Sequence, residues 1–431
     1  MFVKDSNHSA IERSRASFLG FFVLLFVAFP TAASSAIVKV GEGKTYQTIG
    51  DGIAAANDYD TVLVSAGVYL EHSLIIDHPM RIIGEEGTVI DGQSAAVELF
   101  VITSDEVHLE DMSLRNIGHS YLKDLAAIKV RGAHHGSICN MDISNAFFGI
   151  YLEYAEDFTL CENHIQGDRA EEANAGNAIH IWKAKHIEVI DNVLTGHRDG
   201  IYFEFVDSSR IAGNISHDNV RYGLHFMFSN NDHYQGNEFR DNGSGVAVMF
   251  SKKIEMHNNS FRHNWGGASY GLLLKEISDG LIIDNLFEEN TVGIVAEGAN
   301  RLMIKGNQFT SNGKALDIKG NCLDNVIERN NFLANTFEVV TNSSRNANLY
   351  SENYWSQYSG YDLNRDGVGD ESYRPVNLFA KIGHEIPSAT ILLHSFLIDM
   401  LDMGERLFPE VIPVDLIDKR PMMKPYAYDT H

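Results

Sequence analysis

The sequence predicts an all-β protein, a right-handed parallel β-helix whose coils are about 22–23 residues long. The first observation is that asparagine recurs at nearly constant spacing, at Asn140, Asn163, Asn192, Asn214, Asn237, Asn259, Asn285, Asn307, Asn330 and Asn353. The second is that, from Asn237 onward, an aromatic residue follows each of these asparagines two positions later. The third is that short apolar, β-branched runs alternate with Gly and Asp turns, which is typical of strands.

Residues 1–36 have the pattern of a secretory signal peptide. Lys4, Arg13 and Arg15 precede an apolar run from Phe18 to Phe29, and small residues follow it. This run is shorter than the roughly 20 residues that a membrane-spanning helix needs. We therefore expect an exported chain, with an uncleaved anchor as the alternative.

The chain is acidic, with a formal net charge of −24. Without residues 1–36 it has 31 basic and 56 acidic residues, a net charge of −25. Such a surface repels nucleic acid and anionic membranes and attracts cations or basic partners. Solubility alone explains the charge equally well.

Residues 37–360 are predicted to form the β-helix, with a short amphipathic helix around Ile49 and Ile53 covering its first coil. Each later coil has two strand signals, one that begins with Gly and an aliphatic residue and one of the form I-x-x-N-x-F. Asparagine bonds backbone groups in turns and forms ladders when stacked, so we interpret the recurring asparagines as structural. Coils that stack in parallel bring equivalent residues to within about 5 Å.

Two coils are longer than the others, through insertions at residues 168–174 and 265–270. Insertions in solenoids emerge as loops, so both are expected near the functional surface. Cys139 and Cys161 lie one repeat apart but, aligned on the asparagines, one position out of register. This spacing permits a disulfide without requiring one, and Cys322 is expected in the core.

Side chains alternate across a strand, so if Ile201 points inward, Tyr202 and Glu204 point outward. Aligning the Gly-aliphatic strands gives two outward columns. The residues of these columns that are candidate metal ligands are His180, His225, Met227 and Met249. Imidazole and thioether ligands together suit Cu(I). The alternative is that these residues cover a flat face against a partner protein or against the loop 168–174.

Residues 361–386 form a polar linker region that begins with a calcium-loop pattern. Its candidate oxygen ligands are Asp362, Asn364, Asp366 and Asp370. They match positions 1, 3, 5 and 9 of an EF-hand loop, with Gly367 at position 6. Tyr373 stands at position 12, where an EF-hand has a bidentate Glu. We interpret the segment as a structural Ca²⁺ site, with a metal-free turn as the alternative.

Residues 387–431 are expected to form an apolar C-terminal segment for docking or capping, which is helical over residues 387–409. Its apolar stripe consists of Ile391, Leu392, Phe396, Leu397, Met400, Leu401 and Leu407. Such a stripe indicates either a cap on the last coil or a helix that docks on a membrane partner.

Many parallel β-helices act on polysaccharides, so catalysis is the rival interpretation. The nearest approach to an acid–base set is the group His197, Arg198, Asp199, Asp218, Arg221 and Tyr222. We favour the simpler interpretation, in which Arg198 pairs with Asp218 and Asp199 with Arg221 between coils.

Four central segments, GHRDGIYFEFVDSSRIAGN, RYGLHFMFS, GVAVMFSKK and WGGASYGLLLK, closely resemble the NosD family, as does ENYWSQYSGYDLNRDGVGD near the end. The resemblance implies a non-enzymatic periplasmic protein that helps to assemble the copper–sulfur centre of nitrous oxide reductase. It implies as partners an ABC transporter of NosF- and NosY-like subunits, a NosL-like copper chaperone and the apo-reductase. The His/Met columns would then hold Cu(I) transiently, and the apolar stripe would associate the protein with the membrane through the transporter. The alternatives are a polysaccharide lyase, epimerase or sugar-binding β-helix, and a pure interaction scaffold.

Overall fold

The computed structural model describes residues 35–118, 120, 123–168, 175–343, 345–376 and 416–428. Three sequence predictions therefore lie outside the described residues, wholly or nearly so: the signal peptide, the loop 168–174 and the apolar stripe from Ile391 to Leu407.

The described chain is a parallel β-helix, which confirms the predicted fold class. Every strand of one coil pairs in parallel with the equivalent strand of the next coil, forming three long sheets. A coil has three strands rather than the two that the motifs suggest, because the I-x-x-N-x-F motif spans two of them. Ile304 lies in one strand, Phe309 lies in the next, and buried Asn307 forms the turn between them.

Sheet I has 14 described strands. They are Ile37–Val40, Asp60–Val64, Met80–Gly84, Val107–Glu110, Ser137–Cys139, Thr159–Cys161, Glu188–Ile190, Arg210–Ala212, His233–Gln235, Glu255–His257, Leu281–Ile283, Met303–Lys305, Leu323–Glu328 and Ala347–Ser351. Sheet II has 13 described strands. They are Gly67–Tyr69, Thr88–Asp91, Ser113–Arg115, Asp142–Ser144, His164–Gln166, Val193–Thr195, Ile215–His217, Glu238–Arg240, Ser260–Arg262, Leu286–Glu288, Gln308–Thr310, Asn331–Leu333 and Tyr354–Trp355.

Sheet III has 12 described strands. They are Leu74–Ile76, Phe100–Ile102, Ala126–Arg131, Phe148–Glu153, Ile179–Trp182, Asp199–Glu204, Tyr222–Met227, Ser244–Met249, Leu272–Lys275, Val292–Glu297, Lys314–Ile318 and Phe337–Val340. Its strands are up to six residues long, and it is the sheet that carries the candidate columns.

The predicted asparagine column is a continuous ladder inside the turn between sheets I and II. From Asn192 to Asn353, the side-chain oxygen of each asparagine accepts hydrogen bonds from the backbone N–H and the side-chain amide of the asparagine one coil earlier. Between Asn214 and Asn237 these bonds are 3.0 and 2.9 Å long. The amide nitrogens also donate to backbone carbonyls, as Asn237 does to Ile211 at 2.9 Å. The asparagines are structural, because they satisfy backbone groups that no water reaches.

The first step of the predicted column is wrong. Asn140 is an exposed turn residue with a φ of +52°, and Met141 occupies the ladder position, its N–H donating to Asn163 at 3.1 Å. The correct step is one residue shorter, which places Cys139 and Cys161 in register, contrary to the sequence alignment. These two cysteines form a disulfide, with Cα atoms 4.6 Å apart.

A second asparagine ladder lies between sheets II and III. Its members are Asn219, Asn242, Asn264, Asn290, Asn312 and Asn335. Beside both ladders, the predicted aromatic residues stack inside the coil from Phe239 to Trp355, with ring centroids 4.1–5.6 Å apart. Full burial of one such ring stabilises the fold by roughly 1.5–3 kcal/mol.

The N-terminal end of the β-helix is capped by the predicted helix, Ile49–Ala55. The side chain of Thr48 accepts a hydrogen bond from Asp51 N–H, and Ile49 and Ile53 are buried against the first coil. The Glu71 carboxylate accepts the N–H groups of Ile49 and Gly50 at 2.8 and 3.0 Å, which satisfies donors that the helix leaves unpaired.

The C-terminal end is closed by residues 361–376 and 416–428. Asp418 is fully buried and ends the first asparagine ladder, because its Oδ2 accepts from Asn353 N–H, Asn353 Nδ2 and Trp355 Nε1. The chain then runs back along sheet II, where Tyr426 exchanges backbone hydrogen bonds with the Asn331 side chain. Residues 416–428, which belong to the segment 387–431, therefore close this end, whereas the predicted apolar helix of that segment lies outside the described residues.

Candidate functional site

The outer face of sheet III carries both predicted columns, in the predicted register. We call the face from strand Phe148–Glu153 to strand Ser244–Met249 the sheet III wall. Its first column is Tyr151, His180, Tyr202, His225 and Ala247. Its second column is Glu153, Trp182, Glu204, Met227 and Met249. The wall therefore brings His225, Met227 and Met249 into adjacent positions, whereas Tyr202 separates His180 from His225.

His180 is half-buried among aromatic rings. Its ring centroid lies 4.4 Å from that of Tyr151, 4.8 Å from that of Tyr202 and 5.1 Å from that of Phe148. Burial, reinforced by the positive charge of Arg198, lowers the pKa of His180 to about 3. The imidazole is therefore neutral at ordinary pH, which is the form that binds metal ions.

His225 is only 6% exposed and is part of an ionic cluster. The Arg221 guanidinium donates to its Nδ1 at 3.2 Å and makes a two-bond ion pair with Asp199, at 3.0 and 2.6 Å. Because guanidinium only donates, Nδ1 of His225 accepts, and the neutral ring carries its hydrogen on Nε2. Nε2 is buried without a hydrogen-bond partner. Metal binding through this nitrogen therefore requires the loss of that hydrogen.

Asp199 is the buried carboxylate of this cluster. Burial alone would raise its pKa, but the two hydrogen bonds from Arg221 and the charges of Arg221 and Arg198 bring the pKa of Asp199 below its usual value. The predicted Asp199–Arg221 pair is thus confirmed. Arg198 lies 3.8 Å from the same carboxylate, while Asp218 contacts His217 at 2.8 Å.

Met227 and Met249 are half-buried on neighbouring strands and lie directly opposite each other in the sheet register. Thioether sulfur is a weak hydrogen-bond acceptor, so these side chains interact poorly with water. It is also a soft metal ligand, so two of them on an outer face suit Cu(I). Like His180, and unlike buried His225, they are partly exposed members of the predicted ligand set.

An exposed phenylalanine stack, which the sequence reasoning missed, borders these methionines. Phe205, Phe228 and Phe250 are 46%, 38% and 43% exposed, and neighbouring rings are 5.1 Å apart and nearly parallel. Each has a left-handed φ, of +56°, +51° and +55° respectively. This conformation is costly for a bulky residue. The available signal was their spacing of 23 and 22 residues.

The candidate catalytic residues do not form an open acid–base site. His197 is fully buried, and this burial lowers its pKa to about 4. Tyr222 is half-buried, with its ring centroid 4.9 Å from that of His225 and its hydroxyl oxygen accepting a hydrogen bond from the Tyr270 hydroxyl at 3.3 Å. Arg221 is held by Asp199 and is not free to neutralise a uronate.

The predicted calcium loop folds into one compact turn after the last coil. The two carboxylate oxygens of Asp362 accept backbone N–H groups of Asp366 and Gly367 at 3.2 and 2.9 Å, and Asp370 accepts from Leu363 at 2.7 Å. Gly367 has a φ of +87°, as the sharp turn requires. Backbone N–H groups therefore satisfy the carboxylate oxygens of Asp362 and Asp370.

No helix among the described residues is long and apolar enough to span a membrane. Residues 161–360 match the family model described as "NosD: Periplasmic copper-binding protein (NosD)". The chain is 29% identical over 380 residues to the "Probable ABC transporter binding protein NosD" of Pseudomonas aeruginosa, which covers 84% of this chain and 87% of that protein. It is 28% identical over 379 residues to the protein of the same name from Stutzerimonas stutzeri, with 83% and 86% covered.

Solved structures with the same fold are far more distant in sequence. The A-module of the Azotobacter vinelandii mannuronan C-5 epimerase AlgE6 is 15% identical, with a TM-score of 0.53, over 70% of this chain and 88% of that one. The catalytic domain of a GH87 alpha-1,3-glucanase in complex with tetrasaccharides is 11% identical, with a TM-score of 0.60, over 76% and 70%. These likenesses support the fold alone.

Proposed function

The chain belongs to the NosD family, and from this premise we propose that it is a non-enzymatic, periplasmic copper-handling assembly factor. In this proposal it works with an ABC transporter to mature the copper–sulfur centre of nitrous oxide reductase. The family description and the names of the relatives support copper binding, the periplasm and a transporter partner. The reductase as client extends beyond those descriptions and is part of the proposal.

Copper is the cargo, and we assign it to the sheet III wall. The observation that carries this assignment is the register that places Met227 opposite Met249, with His225 two residues from Met227 on the same strand. Two sulfur atoms and an imidazole nitrogen form a soft ligand set for Cu(I). Neutral His180 lies farther along the first column and would take part only if the ring of Tyr202 moved aside.

The exposed phenylalanine stack gives the wall a place for a partner to dock. An aromatic surface beside a transient metal site would be covered when a NosL-like chaperone delivers copper or when the apo-reductase receives it. The apolar stripe from Ile391 to Leu407 would contact the periplasmic side of the NosF/NosY-like transporter. We further propose that the loop from Asp362 to Asp370 holds a structural Ca²⁺.

The test of the copper assignment is a Cu(I) titration against a competing chelator. The double variant Met227→Leu/Met249→Leu keeps the side-chain volume and removes both sulfur atoms. We expect it to weaken Cu(I) binding at least about tenfold, by analogy with the loss of metal-site groups. Met303→Leu is the matched control, because Met303 is half-buried on sheet I, away from the wall. Equal affinity of both variants and the parent chain would refute the assignment.

A polysaccharide lyase or epimerase is the second candidate, because the Asp199–Arg221–His225 cluster lies beside several tyrosines. Incubation with a panel of uronate polymers decides between the two. Unsaturated or epimerised products that disappear in Arg221→Ala would establish an enzyme, and we expect none.

A further inference from the structure

Three histidines and two carboxylates from three successive coils meet at the corner between sheets III and I. We call His134, His135, Glu156, Asp157 and His186 the corner cluster. In the part of the chain that the structure describes, Glu156, Asp157 and His186 are the one group of three His, Cys, Asp or Glu residues whose ligand atoms all lie within 4.8 Å of one another. The cluster is separate from the Met227–Met249 pair, whose members lie two and three coils beyond the coil of His186.

The imidazole nitrogens converge on the two carboxylates. Nδ1 of His186 lies 3.2 Å from Asp157 and 3.8 Å from Glu156. Nδ1 of His135 lies 3.5 Å from the other oxygen of Asp157, and Nδ1 of His134 lies 3.8 Å from Glu156. An ion bonded at about 2.0–2.2 Å to each ligand needs its ligand atoms about this close together. Small side-chain rotations are therefore sufficient to close the cluster around an ion.

The backbone conformation places the residues of the corner cluster at equivalent positions in successive coils. His135, Asp157 and His186 have φ values of +57°, +51° and +53°, which places them at the same left-handed corner of three consecutive coils. The parallel bridges from His134 to Glu156 and from Glu156 to Lys185 hold these coils in register. The Cys139–Cys161 disulfide links the first two coils only a few residues beyond the corner.

The same corner column shows what the position does elsewhere. Farther along, Asp279 and Arg301 form a two-bond ion pair at 2.7 and 2.8 Å. In the corner cluster, the residues next to the carboxylates are histidines, whereas the residue next to Asp279 is Arg301. Lys185, which contacts Glu156 at 2.5 Å, is the cation nearest to the cluster, and a bound ion would displace it.

We propose that the corner cluster is a second metal site, which binds a divalent first-row transition ion, Cu²⁺ or Zn²⁺. Its donors are imidazole nitrogen and carboxylate oxygen, which suit borderline divalent ions, whereas the sheet III wall offers soft sulfur. Asp157 bridges two histidines and is the central ligand. Protons compete with the ion for imidazole, so affinity falls as the pH falls. This site is independent of the copper function proposed for the wall.

The experiment is a titration of untagged protein with Cu²⁺ and, separately, with Zn²⁺, followed by calorimetry and, for Cu²⁺, by electron paramagnetic resonance. We expect one site with nitrogen hyperfine coupling that is lost, with affinity weakened at least about tenfold, in His135→Asn/His186→Asn. Asparagine is chosen because it tolerates the left-handed conformation. Asp157→Asn is a second variant, which keeps side-chain shape and removes the shared charge.

Two controls separate this proposal from others. His263→Asn alters a histidine that is also left-handed and lies near Asp241 and Glu289, but that has no histidine neighbours in its ion pairs. It should keep the parent affinity. Met227→Leu/Met249→Leu should bind Cu²⁺ at the corner unchanged, whatever becomes of its Cu(I) binding. Unchanged affinity in both corner variants, or a copper signal without nitrogen ligands, would overturn the second site.

Discussion

The inner asparagine ladder and the sheet III wall are parts of the same coils but follow opposite rules. In the ladder every coil repeats the same residue, since each asparagine must accept two hydrogen bonds and donate to a carbonyl in a space without water. On the wall, the first column changes from Tyr151 to His180 to Tyr202 to His225 within four coils. The fold constrains the inside of the turn and leaves the outer face free to carry function.

The largest effect is expected from breaking the ladder in its middle. Asn237→Ala removes the acceptor of two Asn214 donors and leaves the Ile211 carbonyl and the Asn259 side-chain oxygen each short of a donor. Each buried group left unsatisfied costs about 1–3 kcal/mol, so we expect a loss of about 3–5 kcal/mol in the free energy of unfolding. Urea denaturation measures it.

The matched wall variant is Met249→Leu, which should cost less than about 1.5 kcal/mol, because volume is conserved. If both variants destabilise the protein equally, the contrast between a constrained interior and a free wall is wrong.

The end of the ladder sharpens the same comparison. Oδ2 of Asp418 accepts three hydrogen bonds, and Oδ1 accepts a fourth from Arg420 N–H at 2.9 Å. Asp418→Ala should cost about 2–4 kcal/mol, whereas Asp418→Asn keeps the acceptor that every other ladder position uses and should cost about 1 kcal/mol. Thermal and urea unfolding of the two variants check this. Equal losses would mean that the ladder requires a charge at its end.

The sequence predicted the part of the molecule that repeats. Asparagine spacing and strand alternation were enough for the coil length and both wall columns, and a helical period was enough for the N-terminal cap, because each of these features depends on a period. The same period misled at Asn140, since an asparagine in an exposed left-handed turn looks identical in sequence to one in the ladder. The second ladder, from Asn219 to Asn335, was equally visible and was missed.

Lateral contacts could not be predicted. Nothing in the spacing indicates that Arg221 covers His225 while it binds Asp199, because these contacts depend on side-chain directions. Phenylalanine rarely adopts a left-handed φ, so residue propensities could not have predicted the backbone conformation of Phe228. Metal binding by Met227 and Met249 and docking by the apolar stripe stay predictions.

Smaller effects on the free energy of unfolding are expected from two titratable residues, Glu338 and His180. The two residues should change stability with pH in opposite directions. Burial raises the pKa of Glu338, near the last coil, to about 7, although Tyr373 O–H donates to it at 2.6 Å. A folded pKa above the unfolded value means that this contribution to stability is present below about pH 4.5 and is lost as the pH rises through 7. Glu338→Gln should therefore become more stable than the parent chain at pH 8, by up to about 3 kcal/mol.

His180 on the wall behaves in the opposite way. Its folded pKa of about 3 lies below the unfolded value, so its contribution is present above about pH 6.5 and is lost as the pH falls towards 3. His180→Gln should flatten the acid side of the stability profile and leave the alkaline side unchanged. If the Glu338 and His180 variants both changed the stability profile on the same side of neutral pH, these directions of the pKa shifts would be wrong.

The smallest effect on stability is expected for the outer phenylalanine stack, in contrast to the inner one. Replacing Phe205, Phe228 and Phe250 by Asn removes stacking of about 0.5–1.5 kcal/mol per pair but relieves about 1 kcal/mol of left-handed strain at each residue. We expect the melting temperature to change little, whereas Phe261→Ala in the inner stack should cost about 3–5 kcal/mol. Co-purification with the copper-transfer partner should fail for the outer variant alone. A large loss of stability in the outer variant would show that the phenylalanine stack stabilises the wall and is not a docking surface for a partner.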